Sequence, residues 1–228
     1  MRARDVMTTP VITASADSTV KELVDLMLKH RISAVPIVDS SGGPMGIVSE
    51  GDLIRRSEIG TEQKESWWLW LVGGRMQMTE DFIRAHGSRA ADIMSRDVIA
   101  VGPDATLAEI ASTLERRRIK RVPVVDNGKI VGIVSRANIL RALASASEKA
   151  GLETASADDN DIRSRLMGLL EQQGWADLSR INIVVSDKVV HLWGSVSSAQ
   201  ERRALVVAAE SVGGVKRVAD HTISSLEY

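Results

Sequence analysis

Two short polar patterns follow apolar segments at the point where a helix is expected to begin. Ser49 and Asp52 form the first, and Ser135 and Asn138 form the second. A helix N-terminus presents free backbone N–H groups and partial positive charge, so it favours phosphate. A serine hydroxyl there can donate to a phosphate oxygen. An aspartate one turn later can accept two hydrogen bonds from a ribose diol, whereas an asparagine hydrogen-bonds without charge.

Two arginines stand in equivalent places before the central apolar segments. Arg31 and Arg118 carry guanidinium groups that pair well with phosphate. The Ser-x-x-Asp and Ser-x-x-Asn patterns are also ordinary helix caps, which need no ligand. From the residues alone, phosphate and ribose binding and simple capping both stay open.

No catalytic constellation is found in the sequence. The absence of cysteine excludes thiolate metal sites and a cysteine nucleophile. The four histidines, His30, His86, His191 and His221, include no pair at metal-ligand spacing on a shared helix. Neither a GxSxG elbow nor a GxxxxGK(S/T) phosphate loop occurs. We therefore expect a protein that is not an enzyme and has no metal site.

The composition is that of an ordinary globular protein. Its 228 residues are 44% hydrophobic and 26% charged, with a formal net charge of −1. That balance does not call for a polyanionic partner. We find no apolar run of signal-peptide or membrane-span length, so we expect a cytoplasmic protein.

The chain contains an internal repeat. Three segments return in the same order, namely Asp5–Thr8 as Asp92–Ser95, Arg31–Asp39 as Arg118–Asp126, and Gly46–Ser49 as Gly132–Ser135. The offset changes by a single residue, which is lost in a turn, where length changes are tolerated. The repeats therefore predict two copies of one structural unit.

Each repeat predicts the element order β-α-β-β-α. A capping box opens the long helix, Thr19 with Glu22 in the first copy and Thr106 with Glu109 in the second. A short strand at Val11–Thr13 is expected before this helix, and a hairpin and a short helix at about 51–56 after it. Units of about 50 residues are small for independent cores, so we expect their sheets to pack together.

These residues resemble tandem CBS domains, the Bateman module, over residues 1–56 and 91–143. The resemblance implies an α+β fold and an adenine-containing ligand in the cleft between the repeats. It also implies a homodimer that regulates or senses rather than catalyses. The expected ligand is AMP, ADP, ATP or a related adenosyl compound, with no prosthetic group.

The resemblance also assigns candidate binding residues. In the family, the arginine and aspartate at these motif positions contact the same nucleotide, and backbone near the strand starts holds the base. The predicted ligand-binding residues are Thr13, Arg31, Ala34, Pro36, Ser49, Asp52, Arg118, Lys120, Arg121, Pro123, Ser135 and Asn138. Asn138 departs from the usual aspartate of the family, and Ala100 lacks the hydroxyl that Thr13 offers.

The run Arg116–Arg121 is the strongest basic segment. One interpretation is nucleic-acid binding. A second is a solvated helix end, where positive charges interact favourably with the helix dipole. In a third, Lys120 and Arg121 lie at the mouth of the ligand cleft and neutralise additional phosphates. Because the whole chain is nearly neutral, nucleic acid is not expected as a partner.

Residues 57–90 form a connector that is longer than a plain linker. It contains the tryptophan-rich segment Trp67–Val72. Tryptophan favours a membrane interface, but it is also enriched where proteins pack together. The flanking Glu62, Lys64 and Glu65 give no basic excess to hold anionic lipid, so packing is favoured.

The last third of the chain predicts a separate small domain. Residues 144–160 are polar and rich in Ala and Ser, as is typical of a linker. Residues 161–228 predict the order α-β-β-α-β. The first helix has an apolar stripe at Ile162, Leu166, Leu169 and Leu170, and a second helix opens at Ser198 with Glu201.

This part resembles a BON domain over about residues 158–226, on Val190–Val196 and Val212–Val218. The family is associated with phospholipid or envelope binding, which implies a membrane phospholipid or a protein as partner. We expect Gly194 to be a close-packing position and Trp193 a half-buried strand residue.

Together these features predict a non-catalytic sensor. An adenine nucleotide binds the CBS repeats, and the BON domain relays or localises the response. Two alternatives stay open. One is a membrane-surface or protein-interaction scaffold in which the CBS pair only dimerises, and the other is nucleic-acid binding through Arg116–Arg121.

Overall fold

The computed structural model describes residues 1–54, 83, 86–146 and 156–224. Its elements in chain order are α1 Ala3–Val6, β1 Ala14–Ser15, α2 Val20–His30, β2 Ala34–Val38, β3 Pro44–Ser49, α3 Glu50–Ile54, α4 Ala90–Ile93, α5 Leu107–Arg116, β4 Arg121–Asp126, β5 Lys129–Ser135, α6 Arg136–Ser145, α7 Ala157–Glu171, β6 Ile181–Ser186, β7 Val189–Val196, α8 Ala199–Ser211 and β8 Arg217–Ser224. The α+β prediction is confirmed. The segment Trp67–Val72 lies outside the described residues.

The chain divides into two compact units, residues 12–98 and residues 1–11 with 99–228. The first unit holds a three-stranded sheet in the order β1-β2-β3. Strand β1 is parallel to β2, and β2 is antiparallel to β3. Helix α2 opens with the predicted capping box, in which the Glu22 backbone N–H donates to Thr19. The core of this unit consists of Leu23, Met27, Val35, Ile37, Val48, Ala90, Ile93 and Met94.

The first strand is shorter and later than predicted. It covers Ala14–Ser15 instead of Val11–Thr13, because the strand pairing begins only where Ala14 aligns with Ile37. In the second repeat the equivalent feature is a single parallel bridge between Val101 and Val124.

The second unit holds the β4–β5 hairpin and the C-terminal domain. The two strands are antiparallel, and Arg121 aligns with Ser135 at one end. Helix α5 opens with the predicted box of Thr106 and Glu109. Helix α6 opens at Ser135, whose side chain accepts from the Asn138 backbone N–H. The element order predicted for the long helix, the hairpin and the following helix is thus present.

Each unit completes its sheet with the Asp-x-Met segment of the other repeat. In the first unit, Ser95 and Ile47 exchange backbone hydrogen bonds of 2.9 and 3.0 Å. The Met94 side chain lies where a Cβ on Gly46 would stand. The segment that begins the second sequence repeat therefore packs on the strands of the first.

The second unit shows the same arrangement in reverse. Thr8 and Ile133 exchange backbone hydrogen bonds of 3.0 and 3.1 Å, and the Met7 side chain lies over Gly132. The compact units therefore do not coincide with the two repeats predicted from the sequence. The predicted domain boundaries remain predictions. A repeat whose first segment packs elsewhere cannot form its full core alone.

The C-terminal domain has the predicted order α-β-β-α-β. Its sheet order is β6-β7-β8, with β6 and β7 antiparallel and β7 and β8 parallel. The β6–β7 turn is Asp187–Lys188, and both residues have positive φ, as the tight hairpin turn favoured by strand twist requires. Leu169 was expected in the core but is 37% exposed, and Met167 is buried instead.

Strand β6 is buried on both faces. Ile183 and Val185 belong to the core of the C-terminal domain. Val184, on the opposite face, belongs to the core of the second CBS repeat with Ala142. The C-terminal domain therefore docks through the outer face of its sheet onto the second repeat.

Candidate functional site

In the first unit, four of the predicted residues lie at one end of the sheet, namely Arg31, Ala34, Ser49 and Asp52. Ala34 at the start of β2 aligns with Ser49 at the end of β3. The Glu50 backbone N–H donates to the Ser33 carbonyl over 3.1 Å. The segment before β2, which carries Arg31, and the start of α3 therefore lie together.

Ser49 and Asp52 form a closed polar pair at the start of α3. Asp52 Oδ2 accepts from the Ser49 backbone N–H at 2.8 Å and from Ser49 Oγ at 2.7 Å. This is the capping geometry that the sequence allowed, and it leaves the carboxylate half-buried. Arg31 is exposed and has a φ of 52°, where it ends α2. A charged donor and a fixed carboxylate thus stand at the same end of the sheet.

Three of the predicted residues lie on or beside the strands rather than at the helix end, namely Thr13, Ala34 and Pro36. Thr13 is half-buried and precedes β1, which pairs with β2 near Pro36. Ala34 and Pro36 are buried, so only their backbone is suited to contact a ligand. Of these three, Ala34 aligns with Ser49, whereas Pro36 aligns with Ile47, and the role of all three in binding stays a prediction.

The second unit gathers its predicted residues in the same way. Arg121 aligns with Ser135, and the Arg136 backbone N–H donates to the Lys120 carbonyl over 3.2 Å. Arg118 is exposed with a φ of 54°, matching Arg31 of the first repeat. The end of the basic run, Lys120 and Arg121, therefore lies beside the N-terminus of α6, and Pro123 is buried within β4.

Asn138 differs from Asp52 because all its hydrogen-bonding capacity is used inside the protein. Its Oδ1 accepts from the Ser135 backbone N–H at 2.9 Å and from Ser135 Oγ at 2.6 Å. Its Nδ2 donates to the Val6 carbonyl at 3.0 Å and to Thr8 Oγ1 at 3.2 Å. An asparagine amide has two acceptor and two donor positions, so none is left for a ribose.

A second buried asparagine was missed by the sequence interpretation. Asn182 lies on β6 and is 2% exposed, and its Nδ2 donates to the Val6 carbonyl at 2.9 Å. The only signal was an amide inside the apolar run Ile181–Val185. Its Oδ1 and Asp5 Oδ1 are buried without a hydrogen-bond partner.

Arg163 joins the same junction from α7. Its Nε donates to the Ile183 carbonyl at 3.0 Å, and its Nη2 donates to the Met7 carbonyl at 2.9 Å. Burial lowers the pKa of the Arg163 guanidinium, and the nearby Asp5 carboxylate opposes that shift. The guanidinium thus links the C-terminal domain to the exchanged N-terminal segment.

An aromatic group lies on the outer face of the C-terminal sheet. Trp193 stacks on His221 with ring centroids 3.9 Å apart, and its Nε1 donates to Ser145 Oγ at 3.1 Å. His191 Nδ1 lies 3.2 Å from His221 Nε2. Burial lowers the pKa of His191 to about 4, assisted by His221 and Arg217. Trp193 is half-buried as predicted, and Gly194 is closely packed because a Cβ there would meet the Arg180 carbonyl.

Among the described residues there is neither a metal-binding cluster nor a membrane-spanning helix. In the part of the chain that the structure describes, no group of three or more histidine and carboxylate side chains could hold a metal ion. None of the described helices has the length and apolarity needed to cross a bilayer.

Comparison with known families identifies both parts of the chain. The CBS domain family matches residues 3–58 and 90–145, and the BON domain family matches residues 158–223. The chain therefore contains two CBS domains followed by a BON domain.

Three relatives place the CBS pair among known proteins. MJ1426 of Methanocaldococcus jannaschii is 29% identical over 154 residues, covering 63% of this chain and 91% of the relative. YhcV of Bacillus subtilis is 28% identical over 132 residues, covering 58% of this chain and 78% of YhcV. CBSX2, a protein of Arabidopsis thaliana, was solved in complex with AMP. That structure matches with a TM-score of 0.54 and 24% identity, over 62% of this chain and 95% of CBSX2.

Proposed function

We propose that the protein is a non-catalytic sensor that binds an adenine nucleotide, or a related adenosyl compound, through its CBS repeats. The observation that carries the proposal is the joint placement of Arg31, Ser49 and Asp52 at one end of the first sheet. A guanidinium suits the phosphate, and the carboxylate suits the ribose diol. AMP is the first ligand to test, because CBSX2, which shares the fold, was solved with it.

The two repeats are proposed to differ in binding. In the first repeat, the hydrogen bonds described for Asp52 both come from Ser49. Its carboxylate is a strong acceptor because it is charged. In the second, Asn138 is 2% exposed and saturated. We therefore assign the principal ligand contacts to the first repeat, and Arg118, Lys120 and Arg121 are proposed to contact phosphate within the second repeat.

The BON domain is proposed to relay the response to a phospholipid or protein partner. Its docking on the second repeat supports this role, because Val184 is fully buried in the core of that repeat. A module held this firmly can respond to a change in the CBS repeats. The homodimer and the cytoplasmic location belong to the same proposal.

The experiment is a thermal-shift panel on the full chain. The ligands are AMP, ADP, ATP, NAD(H), S-adenosylmethionine and cyclic dinucleotides. A ligand present at 100 times its Kd stabilises the state that binds it by about 2.7 kcal/mol, which raises the melting temperature. If none of these ligands shifts the melting temperature at millimolar concentration, the sensor proposal is wrong. Liposome flotation of the full chain then tests the scaffold alternative.

A further inference from the structure

Serine hydroxyls hold the guanidinium of Arg180 at one end of the C-terminal sheet. Its Nε and Nη2 donate to Ser195 Oγ at 3.3 and 3.2 Å, and its Nη1 donates to Ser197 Oγ at 3.1 Å. The ion pairs within residues 156–224 join other side chains, namely Arg165 with Asp161, Lys188 with Asp158 and Arg202 with Asp220. Arg180 therefore has hydroxyl partners but no carboxylate partner among the described residues.

The group formed by Arg180, Ser195 and Ser197, which we call the Arg180 cluster, lies on the outer face of the sheet. Side chains alternate along a strand, so Ser195 shares its face of β7 with Trp193, which contacts α6. Ser195 aligns with Ile223 of β8, which is 51% exposed. Arg180 and Ser195 are half-buried, and Ser197 is exposed. The cluster is therefore open to solvent beside the contact with the second CBS repeat.

Gly194 allows the two chain segments of the Arg180 cluster to approach each other. The Ser195 backbone N–H donates to the Arg180 carbonyl at 3.3 Å. A Cβ on Gly194 would meet the same carbonyl, and the φ of Gly194 is 126°, a conformation that glycine adopts without strain. Because residue 194 has no side chain, the guanidinium comes close enough to reach both hydroxyls.

The Arg180 cluster has hydrogen-bond donors that the described contacts do not use. A guanidinium has five N–H groups, and one on Nη1 and one on Nη2 remain after the bonds to the serines. Each serine hydroxyl accepts from Arg180 and keeps its own proton to donate. Several donors around a positive charge that lacks a carboxylate partner suit an anion.

A phosphate group fits this donor set better than a carboxylate does. A carboxylate pairs with arginine through two parallel N–H donors, and Ser195 already occupies the edge formed by Nε and Nη2. A phosphate group has three acceptor oxygens, which can take N–H groups and hydroxyl protons from different directions. The Glu201 carboxylate, which also contacts Ser197, is used in capping α8, because it accepts the Ser197 backbone N–H at 2.6 Å.

We propose that the Arg180 cluster is a binding site for a phosphate group. The phosphodiester of a phospholipid is the first source to test, because Ile223 places an exposed apolar side chain beside Ser195. A soluble phosphate ester shares the same chemistry. The lipid source rests on the partner proposed above for the BON domain, whereas the phosphate site does not.

Nuclear magnetic resonance of the full chain follows the Arg180 Nε–H signal during titration with inorganic phosphate. Arg180→Lys assigns the signal, because that variant lacks it. We expect the signal to move saturably with phosphate but not with chloride at equal ionic strength. Ser197→Ala should weaken phosphate binding roughly tenfold, as expected for losing one hydrogen bond to a charged group. Ser164→Ala, an exposed change on α7, is the matched control and should bind phosphate as the wild type does.

Two results of this titration would overturn the site. If the Arg180 signal does not respond to phosphate, or responds equally to chloride, Arg180 only links the chain before β6 to β7. If Ser197→Ala binds phosphate as tightly as the wild type does, the proposed set of donors is wrong.

Flotation of the full chain with vesicles separates the two sources of phosphate. The vesicles contain phosphatidylcholine alone or mixed with anionic phosphatidylglycerol. Arg180→Gln should lower the fraction bound to the mixed vesicles several-fold, whereas Arg203→Gln, which removes an exposed arginine of α8, should lower it less. Equal losses in the two variants would show attraction by net charge alone and overturn the lipid source. A phosphate response at Arg180 would then assign the site to a soluble phosphate ester.

Calorimetry with AMP keeps this inference apart from the sensor proposal. If AMP binds the wild type while the Arg180 signal does not respond to phosphate, the phosphate site is wrong and the sensor stands. If none of the adenine ligands binds while the Arg180 signal responds to phosphate, the sensor is wrong and the phosphate site stands.

Discussion

The Met7 side chain occupies the space that a Cβ on Gly132 would need. The two residues come from different sequence repeats, and Gly132 is buried within β5. Backbone pairing of Thr8 with Ile133 fixes Met7 in this position. The Asp-x-Met and Gly-Ile-Val-Ser motifs thus meet as one packing contact, which explains why both occur in each repeat.

We predict that Gly132→Ala destabilises the second unit. Its Cβ would overlap the Met7 side chain and force it to move, and overpacking of this kind costs about 1–3 kcal/mol. Denaturant unfolding measures the change in free energy. Gly102→Ala is the matched control, because a Cβ there meets nothing within 4 Å.

The double variant Met7→Ala with Gly132→Ala makes the test specific to the pair. Removing the methionine side chain frees the space, so the second change should cost less in that background. If Gly132→Ala lowers the free energy of unfolding by the same amount in the wild type and in Met7→Ala, the packing explanation is wrong.

Local features of the fold could be predicted from the sequence, and the exchange between repeats could not. The capping box of Thr19 and Glu22 needs only residues within one helical turn, and the box is present. Met7 fits a glycine in its own repeat as well as one in the other, since Gly46 and Gly132 occupy the same motif position. The repeat therefore carries no signal about which partner is used.

The candidate site shows the same limit. Ser49 with Asp52 was recognised, because capping and ligand binding leave the same short pattern. The saturation of Asn138 depends on Val6, more than a hundred residues away, and the role of Asn182 depends on a contact at still longer range. Such contacts follow from tertiary packing, so residue spacing does not reveal them.

The stability of the C-terminal domain should depend on pH through His191. Burial lowers the pKa of this histidine from 6.5 to about 4. As the pH falls below about 6.5, the unfolded chain takes up a proton that the folded chain does not take up until about pH 4. The free energy of unfolding should therefore decrease between pH 7 and pH 4.

Urea unfolding of the His191→Gln variant at pH 7, 6 and 5 measures this contribution. The variant should lose part of the pH dependence seen in the wild type. His86→Gln changes an exposed histidine outside the C-terminal domain and should leave the dependence unchanged. If the free energy of unfolding depends on pH equally in the wild type and in His191→Gln, the pKa of His191 is not lowered in the folded protein.

The predicted homodimer has a testable surface on α6. Leu140 and Leu143 are 66% and 49% exposed, on the side of the helix away from the buried Ala142. If they lie in a dimer interface, replacing both with aspartate removes apolar burial worth about 1.5 kcal/mol or more for each residue. The dimer Kd should then rise by roughly 100-fold.

Light scattering after size exclusion gives the molar mass of each protein directly. Leu28→Asp, a change at another exposed leucine on α2, is the control and should keep the wild-type mass. A wild type that runs as a monomer, or a double variant that stays dimeric, would count against this interface.

Asp52 offers the most direct test of nucleotide sensing. Calorimetric titration of AMP into the wild type, Asp52→Ala and Asp25→Ala compares a proposed ribose acceptor with an exposed carboxylate on α2 of the same unit. We predict that AMP binds the wild type and Asp25→Ala equally, and Asp52→Ala roughly tenfold or more weakly, as expected for losing hydrogen bonds to a charged group. Equal binding to all three proteins, or none to the wild type, would contradict the proposed role of this site.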